Sequence, residues 1–541
     1  MTPRNINDDA TEARARWIGL ATLLLTFAPI VAAIWSVPTF VTQDGPAHLY
    51  NAEILSRSFD PESPFRPYFA VRWQPLPNWA GHLALVGLVS VFPPRVADRL
   101  ITSATFVLFA CAVIWLRYRV VGWRGMPLAA LVAALLGANV TWLFGFTSFL
   151  LGAALFPVTL GVWWAGRDRE DGWARRSVGL AALVVCGYFC HLVSLGLTAL
   201  GLVVLEAATP GRNRRARAFR TALGLLPLVP LGLLYLGLMR QGGGIAPQWK
   251  HLGHPASPIG WFRQLSWVDP ISIARRDVAP LLDVGPSLGL AALTPVVWFV
   301  LALVLLAAVR LGKASQPPES TTRGWWILSA ILVIGGIAAP DTLGASHGEY
   351  LQQRIVLLGL AALVPLLPAE PSRTKIGRLA LGAMAAAWAL QTAFVWDYAF
   401  TSERTAGAIA RAAPHVGTRQ RLILMLSQTR VKFRANPLMH ADGLLGAGAE
   451  NILWNDYETR HYYFPVRFRA GLRHPDPFEL EQIALSEGTD RAGRWERVLE
   501  QYHDLADVIV VWGVDPAVDA VTEKWFRAVF RDGRVRVYRP R

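Results

Sequence analysis

The sequence predicts a polytopic α-helical membrane protein, with about eleven transmembrane helices (ten to thirteen) ahead of a small soluble α/β domain. Three observations predict it. Of 541 residues, 53% are hydrophobic and only 17% charged, whereas a soluble domain carries about 25% charge. Apolar runs of about 16 to 25 residues recur up to position 396, and roughly 20 helical residues span the hydrocarbon. Beyond 396 these runs stop, and short β-rich segments bounded by turn residues replace them.

The apolar segments are 17–40, 78–92, 100–116, 126–143, 147–165, 178–190, 192–208, 221–239, 287–310, 324–339, 355–369 and 378–396. The first lacks a small-residue cleavage site and many others follow it, so it reads as a retained helix and not a signal peptide. Arg14 and Arg16 place the N-terminus in the cytoplasm and the loop 41–77 outside. The loop 209–220 is rich in arginine and without acid, which places it inside. An odd number of crossings must then separate 77 from 209, although the segments between them are even in number.

The segment 78–92, short and opened by Asn78 and His82, is therefore read as dipping into the membrane or lying at its surface. The basic loops 117–124, 166–176 and 209–220 then all fall inside. The stretch 178–208 is read as a hairpin of two short helices with His191 at the outer turn; one long tilted helix is the alternative. The outer face receives 41–77, the turn near 140–147, the His191 turn, 240–286, 340–354 and the tail. The domains are thus 1–396, a transmembrane domain, and 397–541, an extracytoplasmic soluble domain.

In the tail, 421–426, 451–455, 462–469 and 507–513 read as strands and 495–506 as a helix. Asp532-Gly533 between alternating residues signals a hairpin. The net charge of +15 does not imply a nucleic-acid partner. The tail is nearly balanced, and the excess sits in short membrane loops, where orientation requires it. Cys111, Cys186 and Cys190 all lie in apolar runs, which indicates neither a disulfide framework nor a cysteine metal site. Walker A, Rossmann, HExxH and GxSxG patterns are absent, so nucleotide-driven transport and the familiar hydrolase layouts lack support.

Candidate chemistry begins with "TQDGPAHLYNAEIL", residues 42–55. Pro46 suits a first helical turn, and Asp44 or Gly45 suits its cap. Helical spacing puts Asp44, His48 and Asn51 on one face, beside an apolar stripe of Ala47, Tyr50 and Ile54 suited to a membrane surface. Asp44 then either caps this helix or does chemistry at the membrane face. "SHGEYLQQRIVLLG" (346–359) sets His347, Glu349 and Arg354 at the outer entrance of another helix. Arg354 either binds an anion or snorkels to water. His191 is either a helix-packing residue or a functional group. Asp44, His48 and His191 could hold a divalent metal, a question the sequence leaves open. "WKHLGHPASP" offers Lys250, His251 and His254, with Trp249 and Trp261, as sugar-binding groups or as an interfacial belt.

A cytoplasmic N-terminus, one helix, then an Asp opening a long external loop resembles the GT-C class of membrane glycosyltransferases. "WQPLPNWAGHLALVGLVSVFPPRVADRL" (73–100) looks like that class's Pro-rich segment, short apolar helix and Arg-led next helix. "LFGFTSFLLG" (143–152) and a soluble domain after the last helix add to the likeness. Many members carry Asp-Glu in the first loop, where this chain has Asp44-Gly45.

The resemblance implies transfer of a sugar from a polyprenyl-phosphate donor to an acceptor on the outer face, with Asp44 as base and His48 beside it. The acceptor, whether saccharide, lipid or protein, stays open. Arg354, with His347, Glu349, His191 and Asn51, would bind substrate, the arginine meeting the phosphate in bidentate fashion. Two other classes remain in view: a transporter or lipid flippase, and a non-catalytic envelope-assembly protein on the same scaffold.

Overall fold

The computed structural model describes residues 6–211, 213–240, 245–249, 267–274, 294–311, 319–344, 348–486 and 490–541. Lys250, His251, His254, Trp261 and His347 lie outside them. The chain divides into two compact units. The first holds Met1–Ala32, Ala104–Trp142 and Ser148–Val395; the second holds Ala33–Ser103, Leu143–Thr147 and Trp396–Arg541.

The helices are α1 (Ile6–Trp35), α2 (Gly45–Ser56), α3 (Trp79–Val89), α4 (Pro94–Val121), α5 (Met126–Gly137), α6 (Val140–Leu143), α7 (Thr147–Gly166), α8 (Trp173–Cys190), α9 (Leu192–Ala208), α10 (Arg214–Leu225) and α11 (Leu228–Met239). Further long helices run over Pro295–Leu311, Glu319–Ala338, Leu351–Leu363 and Lys375–Arg404. Among the described residues, 5 stretches are long and apolar enough to cross a membrane: Arg16–Trp35, Pro94–Val121, Thr147–Gly166, Arg214–Met239 and Lys375–Val416. Shorter apolar helices accompany them. Leu24, Leu25, Val229 and Leu233 stand well exposed on such stretches, as side chains facing hydrocarbon do. The chain is a multi-pass membrane protein. Helix α3, with 11 residues, reaches only about 16 Å, roughly half the hydrocarbon thickness.

In the first unit, α8 and α9 are separate helices, because His191 between them is extended (φ −165°, ψ 132°) and breaks the ladder. The single tilted helix is thereby excluded. The run expected at 221–239 is likewise two helices, α10 and α11, which meet at Leu226-Pro227. Polar groups here are satisfied internally, as a low-dielectric environment demands. Arg117, fully buried, donates to the carbonyls of Pro365 (2.9 Å), Leu367 (2.8 Å) and Arg124 (3.0 Å). Glu206 accepts from Arg217 Nε at 2.8 Å and from the Thr221 hydroxyl at 3.0 Å, tying α9 to α10.

The second unit carries the β-structure. Strands β2 (Arg421–Leu426), β3 (Ile452–Leu453), β5 (Val508–Trp512), β6 (Phe526–Asp532) and β7 (Val535–Pro540) form one sheet of order β3-β2-β5-β7-β6. β2 pairs parallel with β3 and β5, while β7 is antiparallel to β5 and β6. The Asp-Gly hairpin is present between β6 and β7, with Gly533 at φ 54°. The stretch 462–469 contributes only β4 (Val466–Phe468), which leaves the main sheet and pairs antiparallel with β1 (Phe69–Val71). Phe69 lies opposite Phe468 and Val71 opposite Val466.

Helix α2 corrects one expectation. Ala47, Tyr50 and Ile54 do not lie on a membrane surface: every residue from Gly45 to Leu55 is buried. Tail segments wrap the helix. The Tyr50 hydroxyl donates to Asn451 O (2.8 Å) and accepts from Leu453 N (3.2 Å). A methyl group at Gly443 would strike Pro46 O at 2.2 Å, so the short helix Gly443–Gly446 approaches α2 backbone to backbone.

Candidate functional site

The polar edge of α2 meets the tail inside the second unit. Asp44 occupies the N-cap position of α2, but its side chain makes no capping bond. Its amide donates to Phe144 O at 3.0 Å, and its carbonyl accepts from His48 N at 3.0 Å. The carboxylate is hydrogen-bonded by the Tyr457 and Gln43 side chains and lies 3.6 Å from His440 Nε2. His440 stacks on Tyr457, ring centroids 4.1 Å apart. Burial pushes the Asp44 carboxyl up to about 6. Burial, with His48 nearby, pushes His440 down to about 3, so this imidazole is neutral at pH 7 and forms no ion pair with Asp44.

His48, one turn along, bonds through Nδ1 to Glu458 Oε1, and His82 Nε2 bonds to Glu458 Oε2 at 2.7 Å. All three are buried, Glu458 fully. Burial alone would lower His48, but the Glu458 carboxylate outweighs it and holds the imidazole above its usual range. Burial alone would raise Glu458, but His82 and His48 outweigh it and hold the carboxyl well below its usual range. The donor atoms of His48, His82 and Glu458 lie within 4.8 Å of one another, a grouping able to take a metal ion. Asn51, a further turn along, donates to Asp456 Oδ1 at 2.9 Å and to Ala47 O at 3.0 Å.

Gly45 explains the Asp-Gly pair. A Cβ there would meet Thr42 Oγ1 at 2.5 Å and Asp98 Oδ1 at 3.0 Å. Across from it Gly145, at φ +82°, would bring a Cβ to 2.5 Å from the same hydroxyl. Thr42 is clasped by two glycines, and Asp98 of α4 borders the space that a side chain at 45 would enter.

Arg354 and His191 belong to the first unit. Arg354 Nη1 lies 2.8 Å from His191 Nε2, and the guanidinium sits over the Phe149 ring, 5.3 Å from its centroid. Val193 N–H donates to His191 Nδ1 at 3.1 Å. The Arg354 contact at Nε2 and the Val193 contact at Nδ1 together fix the orientation of the ring. Glu349 is exposed, ahead of Tyr350 at φ 61°.

The metal set of Asp44, His48 and His191 is replaced by a different grouping, since His191 is engaged with Arg354 while His48 joins His82 and Glu458. His82, Asp98, His440, Tyr457 and Glu458, which the structure gathers around Asp44 and His48, are not singled out as site residues by the sequence. Only His82 carried a local signal, as the histidine in the first turn of a short apolar helix. The others are polar residues that nothing within their own segment distinguishes.

No protein-family model matches the chain, and no curated protein matches it. Among solved structures it is similar to ArnT from Cupriavidus metallidurans bound to undecaprenyl phosphate, at TM-score 0.50 and 13% identity, over 96% of this chain and 97% of that one. It is also similar to the arabinofuranosyltransferase AftD from Mycobacteria, at TM-score 0.48 and 15% identity, over 97% of this chain. The chain spans 40% of the length of AftD.

Proposed function

We propose that this chain, whose fold is shared with ArnT, is a GT-C membrane glycosyltransferase that takes a sugar from a polyprenyl-phosphate donor. Its setting is the bacterial plasma membrane, N-terminus cytoplasmic, with about eleven crossings and a soluble extracytoplasmic domain at 397–541. The observation that carries the reading is Asp44. A buried carboxylate with its carboxyl raised to about 6, hydrogen-bonded by Tyr457 and flanked by a neutral His440, is a base matched to neutral pH. Asp44 accepts the proton of the acceptor hydroxyl as that oxygen bonds the anomeric carbon. The bond from that carbon to the lipid phosphate breaks, and the phosphate leaves with the electron pair. In its charged form His48, which Glu458 holds above its usual range, opposes protonation of the base.

For the leaving group we assign Arg354 and His191. The Arg354 guanidinium, held beside His191, suits a phosphate, which a guanidinium binds through paired hydrogen bonds. This assignment is tested by lipid binding and not by turnover. Glu349 and Asn51 are assigned to substrate, Asn51 being held in place by Asp456.

The test is Asp44→Asn in purified, folded protein supplied with a panel of sugars linked to undecaprenyl phosphate. Loss of transfer by roughly 100-fold or more is expected for removal of a general base. Full transfer by the variant would sink the assignment. Movement of the lipid across proteoliposomes without any covalent product would favour the flippase class instead.

A further inference from the structure

We infer that His48, His82 and Glu458 form a binding site for one divalent metal ion of the zinc type. The three come from α2, from α3 and from the 3₁₀ turn Tyr457–Arg460, and their donor atoms already lie within 4.8 Å of one another. Tetrahedral zinc ligands at about 2.1 Å from the metal stand roughly 3.4 Å apart, so small side-chain rotations open the cluster to fit the ion. Two imidazoles and a carboxylate are a zinc donor set, and the imidazoles disfavour magnesium and calcium, which seek oxygen.

Two further observations support a cation. Glu458 is fully buried, and among the described residues its ion-pair partners are the two imidazoles, with no lysine or arginine. A buried carboxylate without a matching cation is costly. His82 also has the outer partner typical of metal-bound histidine: its Nδ1 lies 3.5 Å from Asn78 O, at the limit of a hydrogen bond. In the tautomer that donates Nδ1–H to that carbonyl, Nε2 presents a lone pair on the Glu458 side, the form in which a histidine ligates a metal. Asn78 reaches this position through a left-handed backbone, φ 72°.

The ion would fasten three segments far apart in sequence. Glu458 follows Tyr457, which hydrogen-bonds Asp44, so the ion also fixes the residue that orients the carboxylate. The site stands independently of the transferase reading, because its readout is metal content.

The experiment measures zinc per chain in full-length protein purified in detergent, followed by chelator treatment and titration with Zn²⁺ and with Co²⁺. About one saturable equivalent per chain is expected, with cobalt giving the visible absorption of a four-coordinate nitrogen-oxygen site. His82→Gln and Glu458→Gln should weaken binding by roughly 100-fold or more, since even loss of an outer-shell partner costs 10- to 100-fold. His503→Gln, at the unrelated ring stack with Trp525, should leave it unchanged. If the variants fail to fold, wild-type stoichiometry and the cobalt spectrum decide. Absence of saturable binding to the wild type overturns the proposal, as does equal binding by folded His82→Gln and Glu458→Gln.

Discussion

Replacing Asp44 by Asn should destroy transfer and make the protein more stable. The carboxyl rises from 3.8 to about 6 because burial penalises its charged form. Between those values the native state holds a proton that the unfolded chain has released, so stability falls as pH rises. Below the unfolded pKa both states are protonated, and the penalty is absent. Once pH has passed the folded pKa the penalty is fully present. At 1.36 kcal/mol per unit, it amounts to about 3 kcal/mol above pH 6.

Asparagine cannot ionise and keeps an oxygen for the Tyr457 hydroxyl, but replacing a charged acceptor by a neutral one costs about 1 kcal/mol. The net gain is therefore about 2 kcal/mol at pH 7.5 and close to zero at pH 3.5. For a folding unit of roughly 200 residues, this corresponds to a rise of about 4 to 8 °C in melting temperature. The assay is thermal unfolding followed by tryptophan fluorescence in detergent, on both proteins, after chelator treatment so that only side-chain charge is present. The difference between variant and wild type isolates Asp44 from the other carboxyls that titrate in the same range. A variant that melts below wild type at pH 7.5 would refute the reasoning, as would a difference that is the same at pH 3.5 and 7.5.

Three other outcomes follow from the same geometry. The transfer rate, kcat/KM, should fall about tenfold per pH unit below about 6, where Asp44 gains its proton; a profile flat down to pH 4.5 would exclude Asp44 as base. Gly45→Ala should lower stability by about 1–3 kcal/mol, the usual cost of overpacking, because its Cβ meets Thr42 Oγ1 at 2.5 Å. Thr42→Ala in the same chain should restore part of that loss in a melting experiment. Arg354→Lys should reduce affinity for undecaprenyl phosphate at least tenfold, since a point charge cannot reproduce the paired donors of guanidinium. Native mass spectrometry with the lipid reads this directly, and unchanged affinity would remove Arg354 from the phosphate site.

The helical half of the fold was legible because hydrophobic runs and positive loops are local signals. The breaks at His191 and at Leu226-Pro227 were only partly so. Pro227 announces its break, while the kink at His191 depends on a ring that caps the next helix. In the tail, β2 and β5 read as short continuous apolar runs and formed where expected. The stretch 462–469 kept only three residues as strand: Pro465 cannot donate to a ladder, and Phe468 pairs with Phe69 in the first loop.

Asp44, His48 and Asn51 could be grouped from sequence because they share one helical repeat. Glu458 lies 410 residues from the histidine it bonds, and no spacing rule reaches that far. The capping role of Asp44 failed for a related reason. A cap is decided by local chain geometry, but this carboxylate is claimed by Tyr457 and Gln43.

The glycine after Asp44 changes meaning once its surroundings are known. Beside a sequence pattern of paired acids, Asp44-Gly45 reads as the loss of one carboxylate. In the folded chain position 45 has no room for a side chain, because Thr42 and Asp98 occupy the space its Cβ would enter. A second acid stands nearby, Asp98 of α4, which is 3% exposed and interacts electrostatically with His48. Asp98 thus occupies the space that a side chain at position 45 would need. This makes a specific demand: Asp98→Asn should lower transfer while Asp44 stays in place, and Gly45→Glu should not compensate for it. If Gly45→Glu restored transfer to the Asp98→Asn protein, the space at position 45 would be larger than the Thr42 and Asp98 contacts allow, and this account of the glycine would be wrong.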